Sequence, residues 1–208
     1  MVKLRLMPTA APDLFVEEIL APSGEFWTDE ELIALPDDEG QRYELWDGEL
    51  IIMSPASLRH EEISFRLLLA LGNFADQHRA GQVYGGNAGF RLDRRTMYAP
   101  DVSFVSKERW RVIRYDPDKY ANAAPDLAVE VLSPSDTIRQ TESKIADYFA
   151  YGTCLAWLVN PRRLQVRVYH RPGEHLLLEG SAAELDGGDV LPGFKYSLGR
   201  LFTTPILD

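Results

Sequence analysis

Two acidic residues occupy strand-like positions where a carboxylate is unusual. Glu130 lies inside the apolar run LAVEVL (127–132), and Asp101 follows Pro100 at the start of the run DVSFV (101–105). A buried, ionised carboxylate is costly unless a partner compensates its charge. If the two runs are neighbouring strands, their backbones lie roughly 5 Å apart, so the two carboxylates can converge on one point.

This acid pair predicts a site for a divalent metal ion. Two half-buried carboxylates repel each other, and a cation between them removes that penalty. Carboxylate oxygens are hard ligands that suit Mg²⁺ or Mn²⁺, ions that retain waters and accept phosphate oxygens. Each acid also has a purely structural interpretation: Asp101 as a turn residue after proline, and Glu130 as the ion-pair partner of a lysine or arginine.

The elements that must position these acids follow from periodicity and turn residues. Thr28 is predicted to cap a short helix, Asp47-Gly48 predicts a β-hairpin, and apolar spacing predicts a long helix over residues 57–78. Three strand-like runs follow this helix: QVYGGNAGFRL (82–92), APDVSFVS (99–106) and PDLAVEVLS (125–133). Ser135 or Asp136 is predicted to cap another helix, after which two strands fold at Asn160-Pro161. This order predicts a mixed α/β fold with one central sheet.

Length and composition bound the domain organisation. With 208 residues, of which 45% are hydrophobic, the chain can bury one core, so we predict an N-terminal arm over 1–26 and one domain over 27–208. The lone cysteine, Cys154, lies in an apolar run and is predicted to fill the core. A single cysteine cannot form an internal disulfide, which favours a reducing cytoplasm. No run has the length of a membrane span, so no membrane association is expected.

The net charge of −10 opposes binding to a polyanion. Basic residues nevertheless concentrate in three stretches, at 91–95, 107–114 and 162–167. A local basic patch can outweigh an unfavourable total charge. The alternative is that each stretch is an ordinary solvated loop or edge strand.

The order of motifs resembles a known family. Pro100-Asp101 followed by Glu130 resembles the signature of the PD-(D/E)XK superfamily, whose members share the restriction-endonuclease-like fold, although Leu132 stands where that signature has lysine. A longer series resembles the Uma-two family of bacterial endonuclease-like proteins, over about residues 28–202. The matching segments are YELWDGELIIMSP, a helix opening with His60, APDVSFV, LAVEVLSPSD, a helix with Lys144, WLVNP and LPGF.

The resemblance implies a restriction-endonuclease-like fold, a central mixed sheet flanked by helices, and Mg²⁺- or Mn²⁺-dependent hydrolysis of DNA phosphodiesters. It implies Asp101 and Glu130 as metal ligands, with Glu44 completing the shell directly or through water. The missing lysine is replaced by Lys144, whose ammonium would act on the attacking water or the transition state. His60 is a further candidate site residue. A surface lysine, an exposed strand acid and a structural histidine are the respective alternatives.

Two other functions remain open from the sequence. One is a catalytically silent nuclease-fold module that acts through dimeric interaction or nucleic-acid binding, which the acidity and Leu132 favour. The other is a nuclease that acts on RNA or small nucleotides and needs less basic surface. The fold family also suggests a homodimer, formed through the long helix or a sheet edge.

Overall fold

The computed structural model describes residues 4–6, 22–35, 42–113 and 116–203, and these form thirteen strands and five helices. The strands are β1 (Leu4–Leu6), β2 (Arg42–Trp46), β3 (Glu49–Met53), β4 (Gly81–Gly85), β5 (Phe90–Arg91), β6 (Met97–Tyr98), β7 (Val102–Ser106), β8 (Leu127–Val131), β9 (Leu155–Asn160), β10 (Gln165–Arg171), β11 (Glu174–Glu179), β12 (Glu184–Asp186) and β13 (Lys195–Ser197). The helices are α1 (Asp29–Ile33), α2 (Leu58–His78), α3 (Lys107–Val112), α4 (Ile138–Ala150) and α5 (Leu198–Phe202).

A mixed six-stranded sheet forms the centre of the fold, in the order β11-β10-β9-β8-β7-β4. Its strands pair antiparallel except β8 and β9, which are parallel. Parallel neighbours need a crossover connection, and α4 supplies it between these two strands. The mixed central sheet with flanking helices confirms the predicted fold class.

A second sheet holds the predicted hairpin. Its five strands have the order β1-β3-β2-β6-β5, with β2 and β3 joined through Asp47-Gly48. The run 82–92, predicted as one strand, begins in the central sheet as β4 and ends in the second sheet as β5. The prediction of one strand over this run is therefore wrong, because the turn that begins at Gly85 interrupts it.

The helices begin at polar caps, as helix starts require. Thr28 caps α1 as predicted, in a capping box with Glu31, and α2 begins after its cap Ser57, close to the predicted start. The cap of α4 is Thr137 rather than Ser135 or Asp136. Asp136 instead accepts a hydrogen bond from the Ser133 N–H at 2.6 Å, which closes the turn before the helix.

Two further predictions concern the periphery. Cys154 is exposed, so its assignment to the core is wrong. Of the predicted arm, residues 4–6 form β1 beside β3, while residues 1–3 and 7–21 lie outside the described parts. The boundary near residue 26 stays a prediction. Among the described helices, none has the length and apolarity of a membrane span.

Candidate active site

The register of the central sheet brings the two acids together. Val102 pairs with Val129 across β7 and β8, and continuing this antiparallel register by one residue places Asp101 opposite Glu130. Opposite residues on neighbouring strands point to the same face of the sheet. Both side chains are buried, with exposed fractions of 7% for Asp101 and 8% for Glu130.

Asp101 is held by donors from three elements. Its Oδ2 accepts the Val131 N–H at 2.8 Å and lies 3.1 Å from His60 Nε2, and its Oδ1 lies 3.4 Å from Arg42 Nη1. Burial raises the pKa of this carboxyl, but His60, Arg42 and the Val131 N–H outweigh burial and hold it below the ordinary value. Asp101 is therefore an ionised anchor at neutral pH.

Glu130 is compensated less completely than Asp101. Its Oε1 accepts a hydrogen bond from the Tyr148 hydroxyl at 2.8 Å and lies 3.0 Å from Lys144 Nζ. Burial raises the pKa of Glu130 to about 7, because desolvation and the charges of Asp101 and Glu44 outweigh the Lys144 ammonium. Additional positive charge near Glu130 would therefore be stabilising.

Lys144 and Glu44 form a buried pair at the edge of the same site. Lys144 Nζ donates to Glu44 Oε1 at 2.7 Å, and it lies 5.2 Å from the ring centroid of Tyr98. Burial lowers the pKa of Lys144, but Glu130 and Glu44 outweigh burial and raise it above the ordinary value. The ammonium thus carries a fixed charge, which excludes Lys144 as a general base near neutral pH. Its 6% exposure also excludes the surface-lysine interpretation.

Glu44 is buried as well, so it is not the exposed strand acid of the alternative interpretation. It accepts hydrogen bonds from three donors: Lys144, the Ala99 N–H at 2.8 Å and the Trp46 indole N–H at 2.7 Å. These bonds occupy most of its lone pairs. The geometry makes Glu44 a holder of Lys144, and its role as a metal ligand stays a prediction.

His60 lies in the first turn of α2 and contacts Asp101 from there. Besides its contact with Asp101, its Nδ1 lies 3.5 Å from Glu61 Oε1 but makes no hydrogen bond with it. Burial lowers the pKa of His60, and the hydrogen bond and charge of Asp101 outweigh burial, so the net shift is upward. His60 therefore orients Asp101 and favours its ionised form.

These residues line one cleft of about 510 Å³ between the two sheets, α2 and α4. Its charged lining consists of four acids, two permanent cations and one histidine: Glu44, Asp101, Glu130, Asp136, Arg42, Lys144 and His60. The four acids outnumber the two permanent cations, so negative charge predominates in the lining. None of the described residues of the three basic stretches lines the cleft.

The contacts of two site residues, Arg42 and Tyr148, were not predicted from the sequence. Arg42 reaches Asp101 from the second sheet, and no motif signals a contact between separate sheets. Tyr148 shares a helix face with Lys144, but its hydrogen bond to Glu130 depends on how α4 packs against β8. A polar side chain one turn after a candidate lysine was the available signal.

The donor chemistry fits a divalent cation held by two carboxylates. In the described ranges, no three His, Cys, Asp or Glu side chains form a group that could hold a metal by themselves. Mg²⁺ needs only one or two carboxylates, since waters and substrate phosphates complete its shell. The raised pKa of Glu130 and the excess of negative charge in the lining are both relieved by such an ion.

Comparisons with known proteins identify the family and the fold of the chain. Residues 29–199 match the family model described as "Uma2: Putative restriction endonuclease". An "Uncharacterized protein slr1290" of Synechocystis sp. is 28% identical over 166 residues, which cover 74% of this chain and 80% of that protein. A crystal structure described as "a putative nuclease belonging to DUF820", from Anabaena variabilis, has a TM-score of 0.70 at 21% identity. That likeness covers 85% of this chain and 97% of the other, and it shows a shared fold.

Proposed function

Because the chain belongs to the Uma2 family, we propose that it is a metal-dependent nuclease that hydrolyses phosphodiester bonds of DNA. Restriction-endonuclease-like families generally use divalent metals, and the family match supports a nuclease acting on nucleic acid. The specific assignment to DNA and to Mg²⁺ or Mn²⁺ is our proposal, as are the residue roles below.

One observation carries the proposal. Asp101 and Glu130 stand opposite each other on one sheet face, and the Lys144 ammonium lies 3.0 Å from Glu130 in the same cleft. Burial of three ionisable groups in one place costs stability, which a functional site can justify and a structural core does not require.

In this mechanism, Asp101 and Glu130 would hold Mg²⁺ or Mn²⁺, which when bound would polarise the phosphate and lower the pKa of water. Lys144 supplies a fixed ammonium whose third N–H donor, beyond those given to Glu44 and Glu130, can meet the attacking water or the phosphate. Water is the nucleophile, so no covalent enzyme intermediate forms.

The remaining residues position these groups. Glu44 holds Lys144 at 2.7 Å, His60 orients Asp101 at 3.1 Å, and Tyr148 donates to Glu130 at 2.8 Å. Preorganised charges and donors stabilise a transition state without reorganising during the reaction. Loss of a positioning residue should therefore lower activity less than loss of Asp101 or Glu130.

The test is cleavage of supercoiled plasmid DNA with Mg²⁺ or Mn²⁺ by the wild type and by Asp101→Asn and Glu130→Gln. Each substitution should lower the rate at least about 100-fold, because even outer partners of metal ligands are worth 10- to 100-fold. The matched control is Asp126→Asn. Asp126 directly precedes β8 and is 9% exposed, but it bonds Arg109 and the Ser106 N–H outside the cleft.

Activity that survives both Asp101→Asn and Glu130→Gln would come from another site or a contaminant. Isothermal titration should also show Mn²⁺ binding by the wild type and Asp126→Asn, and strongly weakened binding by Glu130→Gln. Equal heats in all three proteins would refute the ligand assignment even if cleavage were seen.

A silent binding module is the alternative outcome. It is favoured by the absence of the three basic stretches from the described lining of the cleft. Metal binding without cleavage of plasmid DNA, single-stranded DNA or RNA would establish it, and cleavage of RNA alone would correct the substrate. The cytoplasmic location and the homodimer stay predictions.

A further inference from the structure

We propose that Arg42 binds the substrate phosphate directly, and that residue 86 is glycine to leave room for the Arg42 guanidinium. This inference rests on the proposed function, because it assigns a substrate contact within the same cleft. It concerns a residue that belongs to none of the motifs that identified the site.

Arg42 is the most accessible cation of the cleft. Residues 42, 44 and 46 alternate along β2 toward one side, and all three line the cleft. The Arg42 side chain is 21% exposed, whereas Lys144 and His60 are each 6% exposed. An incoming ligand can therefore contact Arg42 with less rearrangement than either of the others.

The hydrogen bonds of Arg42 orient its guanidinium and use only one of its three nitrogens. Its bonds to described residues both come from Nη1, to the Gly86 carbonyl at 3.0 Å and to Asp101 Oδ1 at 3.4 Å. The second contact is long, and Asp101 already has shorter bonds from His60 and the Val131 N–H. A guanidinium presents five N–H donors, so its other nitrogens remain for a ligand.

Phosphate is the ligand that this chemistry favours. A planar guanidinium matches two phosphate oxygens with parallel hydrogen bonds, and its charge does not depend on pH in the working range. By contrast, the Lys144 ammonium already donates to Glu44 and Glu130. Lys144 thus keeps one N–H for water or phosphate, whereas among the described contacts Arg42 keeps the donors of Nε and Nη2.

A substitution at Gly86 tests the position of the Arg42 side chain independently of its charge. A Cβ at residue 86 would lie 2.2 Å from Arg42 Nη1, so the guanidinium would have to move. The backbone of Gly86 is outside the left-handed region. The nearest backbone atom to the added Cβ, Asp101 Cα, would lie 3.6 Å away, which is an ordinary contact distance. Alanine at this position should therefore displace Arg42 and leave the rest of the fold in place.

The experiment compares Arg42→Ala, Arg42→Lys and Gly86→Ala with the wild type and with Gly85→Ala. Gly85 is a matched control, because a Cβ there would meet only Leu68 Cδ2 at an ordinary 3.8 Å. Affinity for a short DNA duplex is measured by fluorescence anisotropy in Ca²⁺, over a range of salt concentrations, alongside thermal unfolding of each protein.

Arg42→Ala should weaken binding about 10-fold and reduce the slope of log affinity against log salt by about 1, as loss of one phosphate contact predicts. Gly86→Ala should weaken binding although it preserves every charge, and Gly85→Ala should match the wild type. Arg42→Lys should fall between the wild type and Arg42→Ala, since a lysine keeps the charge and loses the fork.

Unchanged affinity and salt slope in Arg42→Ala would overturn the inference, and so would failure of the wild type to bind the duplex. Wild-type affinity in Gly86→Ala would overturn the role of Gly86. If binding depends on Arg42 but no protein cleaves DNA, the nuclease proposal fails and the phosphate contact stands. If the wild type cleaves DNA and Arg42→Ala keeps both its affinity and its salt slope, the nuclease proposal stands and the phosphate contact of Arg42 fails.

Discussion

The two faces of strands β7 and β8 differ in chemistry. Toward α2, the alternate residues of both strands are apolar and join the main core: Val102, Phe104, Leu127, Val129 and Val131. The opposite face, toward α4, carries Asp101, Ser103, Asp126 and Glu130, all buried. One pair of strands thus provides cohesion on one side and closely spaced charges on the other.

This difference shows how the fold tolerates its site. Strand alternation separates the two sets of side chains by a single residue, so the apolar face can hold the register that brings Asp101 opposite Glu130. Buried charges are retained at a net cost in stability, which the apolar face must offset. Substitutions on the apolar face should therefore lower stability, whereas on the charged face the sign of the change should depend on how well each charge is compensated.

The largest stability effect is expected on the apolar face. Phe104 is 1% exposed in the main core, and Phe104→Ala should lower the free energy of unfolding by about 3–5 kcal/mol, through lost burial and a cavity. Chemical denaturation measures the loss, and Mn²⁺ affinity of the folded protein should stay unchanged. A cost below about 1 kcal/mol would mean that this face does not hold the register.

The same contrast explains what the sequence could predict. Asp101 and Glu130 could be found because each interrupts a local pattern, an acid after proline and an acid in an aliphatic strand. Arg42 could not be found, because its contact with Asp101 joins residues 59 positions apart in two different sheets. Sequence periodicity specifies which face a residue occupies and leaves the packing of separate sheets undetermined.

The helix cap shows a second limit of local reasoning. The segment Ser133–Thr137 contains several good caps in succession, and cap propensities for serine, aspartate and threonine differ little. The choice of Thr137 follows from the turn, in which Asp136 is already committed to the Ser133 N–H. A competing tertiary or turn requirement decides such cases.

On the charged face, Glu130→Gln should stabilise the metal-free protein. The pKa of Glu130 is raised to about 7, so the folded state binds its proton more tightly than the unfolded state. The stability that this proton contributes is complete below the unfolded pKa near 4.5 and is lost as pH rises through about 7. At pH 8 with EDTA, the variant should be more stable by about 2 kcal/mol, and the gain should shrink toward pH 4.5.

The control for this measurement is Glu142→Gln, on the same helix as Lys144. Glu142 accepts hydrogen bonds from Arg167 and Tyr169 at the surface and takes no part in the cleft. It should show no gain. A loss of stability in Glu130→Gln at pH 8 would mean that Lys144 compensates Glu130 fully, and that the site has no deficit for a cation to fill.

Asp101→Asn should act in the opposite direction, although Asp101 faces Glu130. Burial raises the pKa of Asp101, but His60 above all lowers it, so the pKa in the folded state is below the unfolded value. The ionised form therefore contributes stability that is complete above the unfolded pKa. That stability is lost as pH falls through the folded pKa. The variant should lose about 1.5–2 kcal/mol at pH 7, the lower part of the range for hydrogen bonds to a charged group. Urea denaturation at pH 7 and at pH 3.5 measures the difference, which should shrink at the lower pH. An equal loss at both values would indicate a packing defect instead.

The smallest effect is expected at Ser103, which lies two residues after Asp101 on the same charged face of β7. Its side chain is fully buried, and its hydroxyl oxygen has no hydrogen-bond partner among the described residues, so it bears the cost of desolvation without compensation from them. Ser103→Ala removes that oxygen and should raise stability by about 0.5–1 kcal/mol, with DNA cleavage and Mn²⁺ affinity unchanged. A loss of stability would mean that the hydroxyl binds an ordered water, and lost activity would extend the functional face one pair further along β7.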